Sequence, residues 1–324
     1  MTVLALAWAG IIAFCVLMYV VLDGFTLGTG MVMPFLKTEE RNIAMSVILP
    51  TWDGNQTWLV LGMASLYGAF PLGFSTLLPI LYIPLLLMVL SLLFRGVVFE
   101  FRLKAGKKGQ HYWDMLFFIS GLGAAFIQGS ILGNVIQGFN GPYQWINSFS
   151  LLTALVLIVA YSLLGATRLI LKTSGQIQTK MRNVSKILTP LFGFLLVAVS
   201  IFSLYVSKEI HETWFHQYNH LLLALFPAVA LLTFISLWLG LLRAWERAPY
   251  WCTVLIVLCC YAGFGFDIFP YIVPYSITIQ EAASPQNTLI FIMVGACVML
   301  PVLLIYTFYS YHIFRGKVNE IIHY

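Results

Sequence analysis

The heptapeptide Trp52-Asp53-Gly54-Asn55-Gln56-Thr57-Trp58 places a carboxylate and side-chain amides between two indoles, inside a strongly apolar chain. An ionisable group at membrane depth is costly, so it asks for a reason. Two readings stand side by side. As a helix N-cap following Pro50 and Thr51, Asp53 accepts from backbone N–H groups of the next turn and complements the helix dipole. As a proton-exchanging group, it is shielded from lipid by Trp52 and Trp58 and supported by the amides of Asn55 and Gln56. A second carboxylate, Asp23, sits in Asp23-Gly24-Phe25-Thr26-Leu27-Gly28-Thr29-Gly30, where the Gly24-to-Gly28 spacing suits close helix contact. Its two readings are a buried ion pair with Arg95 and a direct part in proton handling. Asp267, followed by Phe269-Pro270, reads as a polar group closing a helix that ends at proline. Asn134 and Gln137 read as interfacial hydrogen-bonders.

Other chemistries find little to use. The six histidines (His111, His211, His216, His220, His312, His323) fall in loops or at span ends, away from the depth where a mid-membrane haem or copper ion takes its ligands. The five cysteines lie in apolar runs without metal-ligand spacing and read as small buried hydrophobes. No phosphate-cradling glycine loop with lysine and no Ser-His-Asp arrangement is present, and no metal ligand set is expected in this chain.

The elements that position these residues are membrane spans. Of 324 residues, 60% are hydrophobic and 9% charged, where a soluble domain carries roughly a quarter charged. The expected fold is an all-α polytopic membrane protein forming a single integral membrane domain over residues 1–324. Its apolar runs lie near 3–33, 52–72, 75–98, 113–136, 148–171, 186–206, 218–243, 250–273 and 287–314. Nine helices result, grouped as two four-helix bundles plus one peripheral helix. The start, Met1-Thr2-Val3-Leu4, lacks a basic signal-peptide region, so the first span is expected to be retained. Of 17 Lys and Arg residues, 15 fall in the segments after odd-numbered spans, leaving Lys208 and the intrahelical Arg95. The rule that such loops face the cytoplasm then puts the N-terminus in the periplasm and the C-terminus inside. The basic residues thus report orientation, and the net charge of +5 is no sign of nucleic-acid binding. With this orientation Asp23 lies on the order of 30 Å into the first helix, in the cytoplasmic half. Asp53 opens the second helix at that face, and Arg95, Glu100 and Arg102 arrive there on the third. Tryptophan and tyrosine at span ends (Trp113, Trp214, Trp245, Tyr250, Trp251) read as interfacial anchors.

Read together, several segments resemble subunit II of the cytochrome bd-type quinol oxidases, the cyanide-insensitive branch being the nearer likeness. They are Asp23-Gly24-Phe25, Trp52-Asp53-Gly54-Asn55-Gln56, Phe94-Arg95-Gly96-Val97, Phe99-Glu100-Phe101-Arg102, Gly133-Asn134 and Gln137-Gly138, Phe269-Pro270, Val273-Pro274, Ser276, Thr278, Ala282-Ala283-Ser284 and Phe314-Arg315-Gly316-Lys317-Val318. Their order and spacing across more than 290 residues make the likeness specific. The resemblance implies a heterodimer with a homologous subunit I carrying two b-type haems and haem d, or a b-type haem in its place, and the quinol-oxidising loop. It also implies reduction of dioxygen to water with protons drawn from the cytoplasm, so that a proton gradient builds without pumping. Location in a bacterial inner membrane follows, with small single-span accessory subunits and a quinone on this chain as further possibilities of the family. The resemblance assigns Asp53 to a cytoplasmic proton path at the subunit interface; the depth reading adds Asp23 as a second candidate, with Trp52, Asn55, Trp58, Arg95 and Glu100 in support. One departure is Thr26, where some members carry an acidic residue after Asp-Gly-Phe. The rival function is a self-contained secondary transporter, with Asp23, Asp53 and Arg95 binding a substrate or coupling ion.

Overall fold

A computed structural model describes residues 2–139, 145–206, 208–215 and 220–318. The loop placement of His216 and His323 falls outside these residues. Helix α1 (Val3–Val32) starts at Thr2, whose hydroxyl accepts from the Ala5 N–H at 3.4 Å. From Asp23 to Val32 every residue is buried, so this stretch of α1 is a core element enclosed by other helices. A 3-10 turn (Met33–Phe35) and a short helix α2 (Thr38–Ile48) lead into α3 (Trp52–Ala69).

Helix α3 stops at Phe70, where the backbone leaves helical geometry, and Pro71 opens α4 (Pro71–Phe101). Proline suits a first helical position because its missing N–H would have no partner there. Helices α3 and α4 therefore meet across one residue, and α4 starts four residues earlier than its expected bound at 75. Helix α5 (Lys107–Gln137) ends at Gly138, whose φ of +79° is a left-handed conformation that glycine adopts without strain. Helices α6 (Ser148–Lys172), α7 (Gly175–Val206), α8 (Lys208–Phe215), α9 (His220–Leu242) and α10 (Ala248–Ile268) follow. The eighth apolar run was expected to continue to 273, but α10 ends at Ile268 because Pro270 cannot extend it. The residues beyond form a two-stranded antiparallel hairpin, β1 (Tyr271–Val273) with β2 (Ile277–Thr278), pairing Tyr271 with Thr278 and Val273 with Ile277. A single turn α11 (Ile279–Ala282) precedes α12 (Gln286–Ile313).

Eight of these helices are long and apolar enough to cross a membrane. Helix α3, with 18 residues and five polar side chains (Asp53, Asn55, Gln56, Thr57, Ser65), is the less apolar exception. The chain is a multi-pass, all-α membrane protein. Neighbour relations close two rings: α1–α3–α4–α5, and α6–α7–α9–α10. They join where α1 and α5 pack on α6, and α12 lies outside both, touching α3 and α1. The seam between rings is made by small residues. A Cβ on Gly28 would fall on the Tyr161 carbonyl, and one on Gly165 on the backbone of Gly28. Only hydrogen fits between these two helices.

Ion pairs and carbonyl contacts tie the connections together at one end of the molecule. Arg41 and Arg102 meet Asp114, Lys180 meets Glu40, Lys317 meets Glu246, and the Lys172 ammonium donates to the Phe314 and Gly316 carbonyls. At the opposite end, the Thr2 N–H reaches Gln280, Ser284 reaches the Gly68 carbonyl and Tyr275 the Ile136 carbonyl.

Candidate functional site

The start of α3 is held from three sides. The Trp52 indole stacks on Phe99 of α4, ring centres 4.6 Å apart. The Asn55 amide donates to the Leu22 carbonyl of α1 at 2.8 Å and to the Thr26 hydroxyl at 3.4 Å, and its oxygen accepts from the Tyr311 hydroxyl of α12 at 2.9 Å. Trp58 is fully buried and donates its indole N–H to the Thr307 hydroxyl of α12 at 3.3 Å. Gly54 lies against the Tyr306 ring, which a Cβ would approach to 2.8 Å. Each of these motif residues faces a helix of this chain.

Asp53 does not. Its side chain is exposed on this chain and makes no ion pair with any described residue. The capping expectation is corrected by two residues: Thr51 is the N-cap of α3, and Asp53 sits in the first turn. It still complements the partial positive charge of the helix start, without donating the cap itself.

Asp23 is bound differently. One terminal nitrogen of Arg95 donates to both carboxylate oxygens at 2.7 and 2.8 Å, and both side chains have zero exposure. The predicted ion pair is formed. Tyr19, one turn before Asp23 on α1, accepts from the Gln128 amide at 2.7 Å, and Tyr161 donates to the Gln128 oxygen at 2.8 Å. A polar chain thus links α4, α1, α5 and α6 within the first bundle and its seam. The Arg95 Nε and second terminal nitrogen find no protein partner among the described residues.

Glu100 was expected at the same membrane face as a supporting residue. It turns outward instead, 69% exposed, 4.0 Å from Lys104 one turn on. Its place on α4 puts it on the face away from Arg95, since five residues is about 500° of helical rotation, or 140° net. The carboxylate that does close this end is Asp114 of α5, 2.6 Å from Arg102 and 3.2 Å from Arg41. Sequence reasoning passed over Asp114, although a lone acid among Arg102, Lys104, Lys107 and Lys108 was a visible signal. It also passed over Arg168, whose guanidinium lies 4.7, 5.1 and 5.3 Å from the rings of Phe25, Tyr250 and Tyr311. The dense polar run Tyr306-Thr307 to Tyr309-Ser310-Tyr311, at the end of an apolar helix, was a second missed signal.

Asp267 accepts from the Trp214 indole at 2.9 Å, joining α10 to α8, while α10 itself ends with Phe269 as its cap. Asn134 donates to the Ser130 and Trp145 carbonyls, and Gln137 accepts from Asn147, as interfacial hydrogen-bonders should. No group of three or more His, Cys, Asp or Glu side chains within metal-binding reach occurs among the described residues.

The long helices carry internal prolines (Pro79, Pro84, Pro190, Pro227, Pro301) and run through them without a break. The discontinuous helices of a transporter binding site are not formed among the described residues.

Comparison with known proteins bears on the same residues. The profile of the cytochrome bd terminal oxidase subunit II family matches residues 4–314. Subunit 2 of the cytochrome bd-I ubiquinol oxidase of Escherichia coli K12 is 27% identical, the match covering 98% of this chain and 96% of that protein. Subunit 2 of the cytochrome bd ubiquinol oxidase of Bacillus subtilis is 26% identical, over 97% and 96%. In architecture the chain resembles a chain of the bd oxidase from Geobacillus thermodenitrificans, with a TM-score of 0.81 at 15% identity, covering 97% of this chain and 99% of the other. Fold, span pattern and family profile agree, and the chain belongs to the cytochrome bd terminal oxidase subunit II family.

Proposed function

We propose that this chain is the haem-free subunit of a bd-type quinol:oxygen oxidoreductase in a bacterial inner membrane, and that Asp53 takes up protons from the cytoplasm for the reduction of dioxygen to water. The observation that carries the reading is the contrast within one motif. Trp52, Gly54, Asn55 and Trp58 are all engaged with helices of this chain, and Asp53 alone presents an unpaired carboxylate on an open face. A group that must exchange protons with a neighbouring subunit needs that freedom. Asp23 lacks it, because an arginine grips both its oxygens. Asp23 and Arg95 therefore serve as the anchor beneath the proton entrance.

The nine-helix reading assigns α3 as a span and the basic end of the bundle to the cytoplasm, with the N-terminus outside. The clustering of Arg41, Arg102, Lys172, Lys180 and Lys317 contacts at the end where α3 starts supports this orientation. Electron transfer falls to a haem-bearing subunit I, expected to hold two b-type haems and haem d or a b-type haem in its place. Quinol oxidation on the outer side and proton uptake on the inner side would build the gradient without pumping. Small single-span subunits and a quinone bound to this chain are compatible additions.

The experiment is Asp53→Asn in the assembled complex, which keeps size and polarity while removing titration. Quinol-driven oxygen consumption per haem should fall by at least about tenfold. A wild-type rate would remove Asp53 from the proton path.

A further inference from the structure

The geometry points to α12, the last helix, as the element that sets the position of Asp53, with Tyr306 and Tyr311 as positioning residues. This rests on the proton-uptake reading of Asp53 and extends it to a helix outside both bundles.

Three α12 side chains hold three consecutive contacts on the first two turns of α3. The Tyr306 ring lies on Gly54, the residue after Asp53, so closely that a Cβ there would stand 2.8 Å from the ring. The Tyr311 hydroxyl donates to the Asn55 oxygen at 2.9 Å, and Thr307 receives the Trp58 indole N–H at 3.3 Å. The glycine of the motif is thereby explained by contact, since a side chain there would displace the Tyr306 ring from the start of α3. Asn55 is explained too: its amide is spent on α1 and its oxygen on α12, so it pins the helix start between them.

Between the two helices lies a cavity of about 10 Å³ lined by Thr51, Gly54, Asn55, Thr307, Ser310 and Tyr311. That volume is about one water's worth, and the hydroxyls of Thr51, Thr307 and Ser310 line it. A water in this niche would have Ser310 of α12 and Thr51, the N-cap of α3, among its neighbours. Behind Tyr311, the Arg168 guanidinium sits 5.3 Å from its ring and also lies over Phe25, which meets the Tyr311 ring edge-to-face at 6.3 Å. A positive charge there also discourages protons from passing inward through this chain, leaving the open face of Asp53 as the route.

The test uses Tyr311→Phe, which removes the hydroxyl and keeps the ring, with Ser310→Ala as the companion that perturbs only the niche. Each is assayed in the assembled complex, per haem, across pH, alone and combined with Asp53→Asn. Proton supply limits the rate most when protons are scarce. The expected loss is therefore at least about threefold near pH 9 and negligible near pH 6, with the quinol KM unchanged. In the Asp53→Asn background the second substitution should add nothing, because both act through one group. A loss equal at all pH values, no loss in either variant, or an effect that adds fully to that of Asp53→Asn would overturn the positioning role. The Asp53→Asn single variant reports separately on the proton-uptake reading, so the two claims fail by different results.

Discussion

At the scale of single residues, the two aspartates of the α1–α3 region differ in what surrounds them, and this decides their uses. Asp23 and Arg95 are both without exposure and bonded at 2.7 and 2.8 Å. Removing one partner of a buried pair leaves a charge with no solvent and no counter-ion, at a cost of about 3–5 kcal/mol. Arg95→Leu should therefore strongly lower the thermal unfolding temperature of the detergent-solubilised complex. Asp23→Leu with Arg95→Leu should recover most of it, because two apolar residues leave nothing uncompensated. A double variant no more stable than the single would show that the pair is not the source of the loss. Asp53 has no such bond to lose, so Asp53→Asn should leave unfolding unchanged within about 0.5 kcal/mol. This pair of aspartates was only half readable beforehand. The Asp23–Arg95 bond could be foreseen from charge and depth, but the outward turn of Glu100 depended on its rotation about α4, five residues beyond Arg95.

At the scale of helices, the contacts that matter are made by small residues and by short polar elements at the bundle ends. Gly28→Ala at the α1–α6 crossing should cost about 3 kcal/mol or more and reduce the yield of assembled complex, since its Cβ meets backbone. Gly263→Ala on α10, where nothing lies within 4 Å, should be tolerated. Equal yields from the two would contradict the close crossing. Helix α2 offers a pH test outside the spans. Burial raises the Glu40 pKa, but the Lys180 ammonium at 2.7 Å and the Lys37 backbone N–H outweigh it and hold the carboxyl below its ordinary value. A depressed carboxylate pKa contributes stability that is present above the ordinary value and lost as pH falls through the lowered one. Hydrogen exchange of α2 amides should thus speed up relative to the core helices in that acid range, and Glu40→Gln should abolish the pH dependence. Helix ends were readable to within a residue at Gly138, but at the prolines the apolar runs carried on past the break, so the bounds near Pro71 and Pro270 fell three to five residues off. They were not readable where polar residues simply prolong a helix beyond the apolar run. Helix α7 begins at Gly175, eleven residues before the apolar run near 186, because Gln178, Lys180 and Arg182 bond to Ile170 of α6, Glu40 of α2 and the Trp245 carbonyl.

At the scale of the whole molecule, two four-helix rings and an outer helix form a scaffold that carries the open carboxylate of Asp53. The ring closure depends on contacts between segments far apart in sequence, and the same holds for the site. Arg168 touches rings from α1, α10 and α12, a convergence that no local pattern announces. The family motifs, by contrast, lie in short runs and were visible at once. The orientation has its own check: a reporter fused after the C-terminus should be active only on the cytoplasmic side, and periplasmic activity would reverse the side assigned to Asp53. The most direct measurement of the proposed role is side-specific proton uptake. Purified complex would be set in closed vesicles with the α3-start face turned to the lumen, a pH dye inside, and quinol oxidation begun by an oxygen pulse. The proposal expects lumenal alkalinisation in step with oxygen consumption, slowed by at least about tenfold in Asp53→Asn. Uptake in that variant at the wild-type rate, or uptake from the outer side, would contradict it.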